Sequence, residues 1–254
     1  MKNVVLTIKW GTEFSANHVN ILFKAACSNT SQEFDFVCLT DNTDGLADGI
    51  ISYPIPQTGL KKFPKSQGAW PKVCLFHPDL LGKVEQVLFL DIDTVITRNI
   101  DPLFNDPGDK LRMLSCGPRW KHFDASLPCQ PASGVLSYNL KYHTNIFEQF
   151  KNNPDKAYSY FELEQAFLGN TANAVDYFPL EWVQSFKYHL RRQFIADIFL
   201  PPRNPSEKSI LVAFHGYPRP HQIWDRRQQW ARFPRCGVRR PKWLMDYFET
   251  YSKS

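Results

Sequence analysis

The chain predicts an α/β fold: a Rossmann-like, mostly parallel sheet with flanking helices, in one domain with a basic carboxyl-terminal tail. Three observations lead there. Short apolar, β-branched runs alternate with stretches of helical periodicity through the first half. Two buried-type runs end abruptly in Asp or His, as strands of open α/β sheets do at their binding edge. The 254 residues are 43% apolar, enough for one large domain with a real core.

The elements follow in order. Val4 to Ile8 reads as a first strand. Asn17 to Cys27 places Val19, Leu22, Phe23 and Ala26 at helical spacing. Phe34 to Thr40 is a second strand, stopped by Asp41-Asn42, and Ile50 to Ile55 a third. Pro71 to Leu81 predicts a helix, with Pro71 in its first turn. Val84 to Leu90 is a buried strand. Leu111 to Cys116, Val135 to Tyr138 and Ile210 to Phe214 read as further strands. Tyr142 to Lys151, Tyr160 to Leu168 and Trp243 to Tyr251 read as helices. Alternating strands and helices argue for a parallel sheet covered on both faces. No linker divides the chain, so residues 1–224 form the domain and 225–254 the tail.

Composition excludes several classes. Charged residues are 22%, ordinary for a folded chain. No apolar run approaches the roughly 18 residues of a membrane helix, and the amino terminus lacks a signal peptide's apolar stretch. The six cysteines form no C-x-x-C pair, which removes zinc ribbons and thioredoxin-type motifs and suits reduced thiols in cytoplasm.

The strongest chemical signal is Val87-Leu88-Phe89-Leu90-Asp91-Ile92-Asp93-Thr94. An apolar strand delivers two carboxylates at i and i+2, which share one side of an extended chain. Two such charges repel unless a cation neutralises them, and hard oxygens suit Mn²⁺ or Mg²⁺. A second buried strand delivers His215, Gly216 and then Arg219. An imidazole can complete an octahedral site, Gly216 lets backbone approach a ligand, and Arg219 can grip a phosphate with paired donors. Each piece alone also fits a polar turn after a core strand. Lys72 near a helix start, Ser133-Gly134 at a strand entrance, and Glu164-Gln165 on a helix are further candidates. Asp-x-Asp after a strand also occurs in haloacid-dehalogenase-type phosphatases, where the first Asp, here Asp91, is the nucleophile. Here it begins at residue 91 and no Asp-Asp follows it.

Taken in order, these motifs resemble the nucleotide-diphospho-sugar transferases of the GT-A fold, in particular family 8 glycosyltransferases and their bacterial relatives. The resemblance runs from about Val4 to Pro220. It implies Mn²⁺ (or Mg²⁺) on Asp91, Asp93 and His215, holding the donor diphosphate. It implies that Thr7, Lys9 and Asp41 cradle the nucleoside. Lys72, where the family often has Arg, would contact the donor sugar together with Ser133 and Gly134. Gly216 and Arg219 would meet the phosphates, and Glu164 and Gln165 would work at the anomeric carbon. The chain departs from the family in two places. Glu164-Gln165 replaces Asp-Gln, and Gly216 follows His215 directly, with Arg219-Pro220 in place of Lys-Pro. The implied function is metal-dependent, retaining transfer from a nucleotide sugar, UDP-linked in this family, to a glycan or glycolipid acceptor in bacterial surface polysaccharide or lipopolysaccharide synthesis. The rival class is a non-catalytic binding protein on the same scaffold.

Charge adds one more expectation. Pro201 to Ser254 holds eleven Lys and Arg against four Asp and Glu. Between Arg226 and Lys242 stand Arg227, Arg232, Arg235, Arg239 and Arg240, with Trp230, Phe233 and Trp243 near them. Cations beside aromatic rings suit an anionic membrane interface, which would hold the protein peripherally on the inner face; the alternative is a solvated basic surface with its aromatics packed into the core. No nucleic-acid motif is present.

Overall fold

The computed structural model describes residues 3–57, 68–82, 86–225, 230 and 239–252. Its strands, among the described residues, are β1 (Asn3–Lys9), β2 (Phe34–Thr40), β3 (Ile50–Pro54), β4 (Gln86–Leu90), β5 (Thr94–Ile96), β6 (Leu111–Cys116), β7 (Gln130–Tyr138), β8 (Val175–Tyr177), β9 (Val183–Ser185) and β10 (Leu211–Ala213). The α-helices are α1 (Ala16–Ser28), α2 (Gly117–His122), α3 (Thr144–Asn152), α4 (Pro154–Tyr160), α5 (Glu164–Thr171), α6 (Phe194–Phe199), α7 (Pro220–Trp224) and α8 (Lys242–Ser252).

Seven strands form the main sheet in the order β3-β2-β1-β4-β7-β6-β8. The β3-β2-β1-β4 half is parallel throughout, while β7 runs antiparallel to both β4 and β6. Parallel strands must be covered on both faces, so they read as continuous apolar runs, and all five residues of β4 are buried. Alternate residues feed two cores. Val5, Phe36, Leu88 and Leu90 pack with α1 and α8 on one face. Val4, Leu6, Val87 and Phe89 pack with Trp70, Phe150 and Phe167 on the other.

A second sheet of order β5-β10-β9 brings the two ligand-type loops together. Thr94 pairs antiparallel with Ala213, and Ala213 pairs parallel with Ser185. Asp93, just before β5, therefore faces the residues just after β10, where His215 lies.

Several expectations change. The stretch from Pro71 is a 3₁₀ run over Trp70–Phe76, not an α-helix reaching Leu81. Pro78 removes an amide and pushes His77 to extended backbone, which stops the helix early. The helix expected over 160–168 starts later, as α5 at Glu164, and an unexpected helix, α4, precedes it and ends at Tyr160. Asn153 caps α4 by accepting from Lys156 N, and Phe161 turns extended before α5 starts. Strand β7 begins at Gln130, five residues ahead of the expected Val135.

The carboxyl-terminal segment is packed. Leu244, Tyr247 and Phe248 of α8 join the core beneath α1. Trp230 is 2% exposed and meets Phe186, and half-buried Trp243 donates from Nε1 to the Arg203 carbonyl at 3.2 Å. These two rings face the protein rather than a membrane interface. Phe233, Arg226, Arg227, Arg232 and Arg235 lie outside the described residues. Among the described residues, no helix is long and apolar enough to cross a membrane.

Candidate functional site

The main sheet ends at Leu90, and Asp91-Ile92-Asp93 forms the tight turn into β5. Asp91 N donates to the Gly134 carbonyl at 3.0 Å, and Thr94 N donates to the Asp91 carbonyl at 2.9 Å. The two carboxylates thus converge through a turn, whereas the sequence suggested one side of an extended strand. Each meets a cation. Lys72 Nζ donates to Asp91 Oδ2 at 2.7 Å, and Arg219 Nη1 donates to Asp93 Oδ2. Arg219 Nε also donates to Glu13 Oε1 at 3.0 Å.

From Lys72 a network runs inward. Its ammonium donates to Ser133 Oγ at 3.1 Å and to the Ser133 carbonyl at 3.3 Å. Ser133 Oγ donates to Glu164 Oε1 at 2.7 Å, and Ala69 N donates to Glu164 Oε2 at 2.7 Å. Glu164 is only 4% exposed, so both its oxygens are held inside the protein. Gly68 makes this fit: with φ of +70°, a Cβ there would stand 2.5 Å from Glu164 Oε2.

Burial sets the electrostatics. It pulls the Lys72 ammonium down, but Asp91 and Glu164 outweigh it and leave the pKa raised. Burial raises Asp91, opposed by Lys72. Burial and the neighbouring Asp91 push Asp93 up to about 7, against the pull of Arg219. Burial, then Lys187, lowers His215 to about 4, so its imidazole is neutral at ordinary pH.

A cavity of about 430 Å³ gathers Lys72, Asp91, Asp93, Ser133, Gly134, Glu164, Gln165, His215, Gly216 and Arg219. A second cavity of about 550 Å³ adjoins it, shares Lys72, Asp91, Asp93 and Arg219, and extends along Ile8 to Phe14. Lys9 lines this second space and pairs with Asp41 at 3.7 Å, while Asp41 also accepts from Gly11 N at 2.8 Å. Thr7 is fully buried in β1 and lines neither space. Gln165 makes a weak contact from Nε2 to Cys116 Sγ at 3.8 Å.

Asp91 and Asp93 fit a hard divalent cation. They are crowded, buried oxygen donors, and the raised proton affinity of Asp93 marks a place where added positive charge is favourable. His215 lines the same cavity with its Nε2 2.6 Å from Ser185 Oγ. Among the described residues, no three His, Cys, Asp or Glu side chains are grouped closely enough to hold a metal.

Sequence reasoning missed a set of rings and turn residues. Trp120, Tyr188, Gly117 and Cys116 line the 430 Å³ cavity, and Trp10 and Glu13 line its neighbour. Glu13 and Trp10 sit just beyond β1, at the sheet edge where ligands bind, and position alone could have flagged them. Tyr188 carries no such signal, because its place depends on the β9-β10 pairing.

No protein-family model matches the chain, and no curated protein sequence matches it. Solved structures do. The galactosyltransferase LgtC, in complex with donor and acceptor sugar analogues, superposes with a TM-score of 0.66 at 15% identity, covering 99% of this chain and 97% of that one. The glycosyltransferase GlyE of Streptococcus pneumoniae TIGR4 gives 0.63 at 16% identity over 100% of this chain and 61% of its own. WbbM, a bifunctional glycosyltransferase, gives 0.60 at 15% identity over 98% of this chain and 51% of its own. None of these is a phosphatase. The mixed sheet, its strand order and this likeness along nearly the whole chain agree: the protein has the GT-A glycosyltransferase fold.

Proposed function

We propose that the protein is a metal-dependent glycosyltransferase that moves a sugar from a nucleoside-diphospho-sugar, UDP-linked by the family resemblance, to a glycan or glycolipid acceptor. The observation that carries this reading is the pairing of Asp91 and Asp93 with Lys72 and Arg219 in one cavity at the binding edge of a GT-A sheet. Carboxylates there would take a cation, and cations there would take a diphosphate.

The residues divide the work. Asp91 and Asp93 would hold Mn²⁺ or Mg²⁺; His215, expected as a third ligand, lines the same cavity but is not grouped with them and faces Ser185 instead. When bound, that ion supplies charge neutralisation to the donor diphosphate and the departing nucleoside diphosphate. Arg219 and Lys72 add fixed positive charge where negative charge develops. Glu13 holds Arg219, and Glu164 holds Ser133 beside Lys72, so both cations are set before the donor arrives. The space between Ile8 and Phe14 would take the nucleoside, with Lys9 tied to Asp41 at its rim. Gln165 would face the anomeric carbon.

For a retaining outcome the acceptor oxygen bonds to the anomeric carbon on the face the diphosphate leaves. The carbon–oxygen bond to phosphate breaks, and the acceptor proton passes to the leaving diphosphate. Gln165 is a poor nucleophile, which favours this front-face course over a covalent intermediate. The basic residues from Arg226 to Lys242 suit an acceptor presented at an anionic membrane, as in lipopolysaccharide assembly. The test is a hydrolysis screen of nucleoside-diphospho-sugars with and without Mn²⁺, in which release of nucleoside diphosphate must depend on Asp91 and Asp93.

A further inference from the structure

One wall of the 430 Å³ cavity is charged. The cavity lining also holds two aromatic rings, Trp120 and Tyr188, and no step described so far uses them. Tyr188 is 44% exposed, a large ring left open to solvent inside a polar site. The ring is nevertheless fixed. Tyr188 N donates to Ser185 Oγ at 3.1 Å. Trp120 meets it edge-on at 6.4 Å and 84°, and His215 tilts against it at 4.9 Å. Trp120 is itself buried and locked by a 2.6 Å bond from Nε1 to the Val183 carbonyl. Tyr188 sits in a π-helical turn, Phe186–Leu190, a form that recurs at functional sites.

The ring contacts continue beyond the residues that line the cavity. His189 packs edge-on against Trp120 at 5.6 Å and stacks on Phe123 at 4.1 Å and 22°. Phe123 is 38% exposed and has φ of +52°, a left-handed backbone that a bulky residue rarely adopts. It closes α2 at a position glycine usually fills. A strained, exposed Phe is the kind of outlier found at ligand clamps.

We infer that Tyr188 and Phe123 form a stacking track for a carbohydrate acceptor of two or more sugars. The terminal pyranose would rest on Tyr188 inside the cavity, and the preceding sugar would reach Phe123 beyond it. The argument is chemical. A pyranose has an apolar C–H face and a hydroxyl edge, and a rigid tyrosine ring offers the matching amphipathic surface at small entropic cost. Lys121 Nζ lies over the Tyr188 ring, 5.5 Å from its centroid, and would offer sugar hydroxyls a donor at that face. Tyr188 lines the same cavity as Asp91, Asp93, Lys72 and Arg219, so a sugar on Tyr188 would share that space with the proposed donor. This inference rests on the glycosyltransferase reading and names its acceptor class. A lipid phosphate or a protein side chain as the direct acceptor would leave the track without a role.

The experiment is binding of the full-length protein to an array of immobilised oligosaccharides, with UDP and Mn²⁺ present. Wild type should bind a subset of glycans, and Tyr188→Phe should keep that subset. Tyr188→Ala should bind the same glycans about tenfold more weakly, the loss expected of one stacked ring. Phe123→Gly relieves the left-handed backbone, so it should melt no lower than wild type, yet lose affinity for the longer glycans more than for monosaccharides. Failure of wild type to bind any glycan, or equal binding by wild type and Tyr188→Ala, overturns the inference. Tyr188-dependent glycan binding by a protein that hydrolyses no nucleotide sugar would uphold the track and overturn the glycosyltransferase reading.

Discussion

Lys72 Nζ lies 2.7 Å from Asp91 Oδ2 and binds Ser133 with the same ammonium, so one buried cation ties the aspartate turn to β7. Replacing Lys72 by Met leaves Asp91 without its charged partner. The expected loss is about 3 kcal/mol of unfolding free energy, as for other buried pairs broken on one side. The double variant Lys72→Met with Asp91→Asn should recover most of it. Urea denaturation measures both, and an unchanged midpoint for the single variant would contradict the network.

Gly68→Ala should destabilise by about 1–3 kcal/mol, because it adds a Cβ at positive φ and drives it into Glu164 Oε2, 2.5 Å away. Glu164 must then release Ala69 N or Ser133 Oγ, so donor KM should rise as well. Thermal melting and steady-state kinetics check the two halves. A variant as stable as wild type would show that the close approach is not maintained in solution.

Acidity should weaken metal binding. The Asp93 carboxyl is pushed up to about 7 by burial and by Asp91, so below that pH a proton competes with Mn²⁺. Affinity should fall about tenfold per pH unit below about 7 and level off above it. His215, held at about 4, adds no second step in that range. The metal-free fold should behave oppositely: an acid raised on folding stabilises most below its unfolded pKa, and that share is lost as pH rises toward about 7. Calorimetric Mn²⁺ titrations across this range decide the point, and a pH-independent affinity would contradict it.

Membrane attraction, if the tail supplies it, should draw on its cations rather than on Trp230 and Trp243, which are packed against the protein. Cutting the chain before Asp225 would remove Leu244, Tyr247 and Phe248 from the core, so the test keeps the whole chain. Replacing Arg226, Arg227, Arg232 and Arg235 by Gln should abolish binding to anionic vesicles, each cation being worth about 1 kcal/mol. Equal co-sedimentation of both proteins would assign the tail another role.

Much of this was legible in the sequence because the parallel strands are buried on both faces and write unbroken apolar runs. Strand β2 matches its expected span of Phe34 to Thr40, and β4 announces the turn at Asp91. The cavity gathers Lys72, Ser133, Glu164, His215 and Arg219 as the ordered motifs suggested. Three-residue strands were less legible, being too short to show a period. β5 and β9 went unread for that reason, and with them the pairing that brings Asp93 toward His215. Tyr188 and Trp120 are set by that pairing, so no local pattern marks them. The tail's sequence left two readings open, because the packing partners of Trp230 and Trp243 lie far away in the chain, as Phe186 does for Trp230 and Arg203 for Trp243.

The central claim is that Asp91 and Asp93 hold a divalent ion that serves a nucleoside-diphospho-sugar. The most direct measurement is release of nucleoside diphosphate from a panel of such sugars, with and without Mn²⁺, by wild type and Asp93→Ala. The account predicts Mn²⁺-dependent release from at least one sugar by wild type. It predicts none from Asp93→Ala, which should still fold because the side chain lies in a turn outside both apolar cores. Release that needs no divalent ion, or that survives Asp93→Ala at full rate, would contradict it.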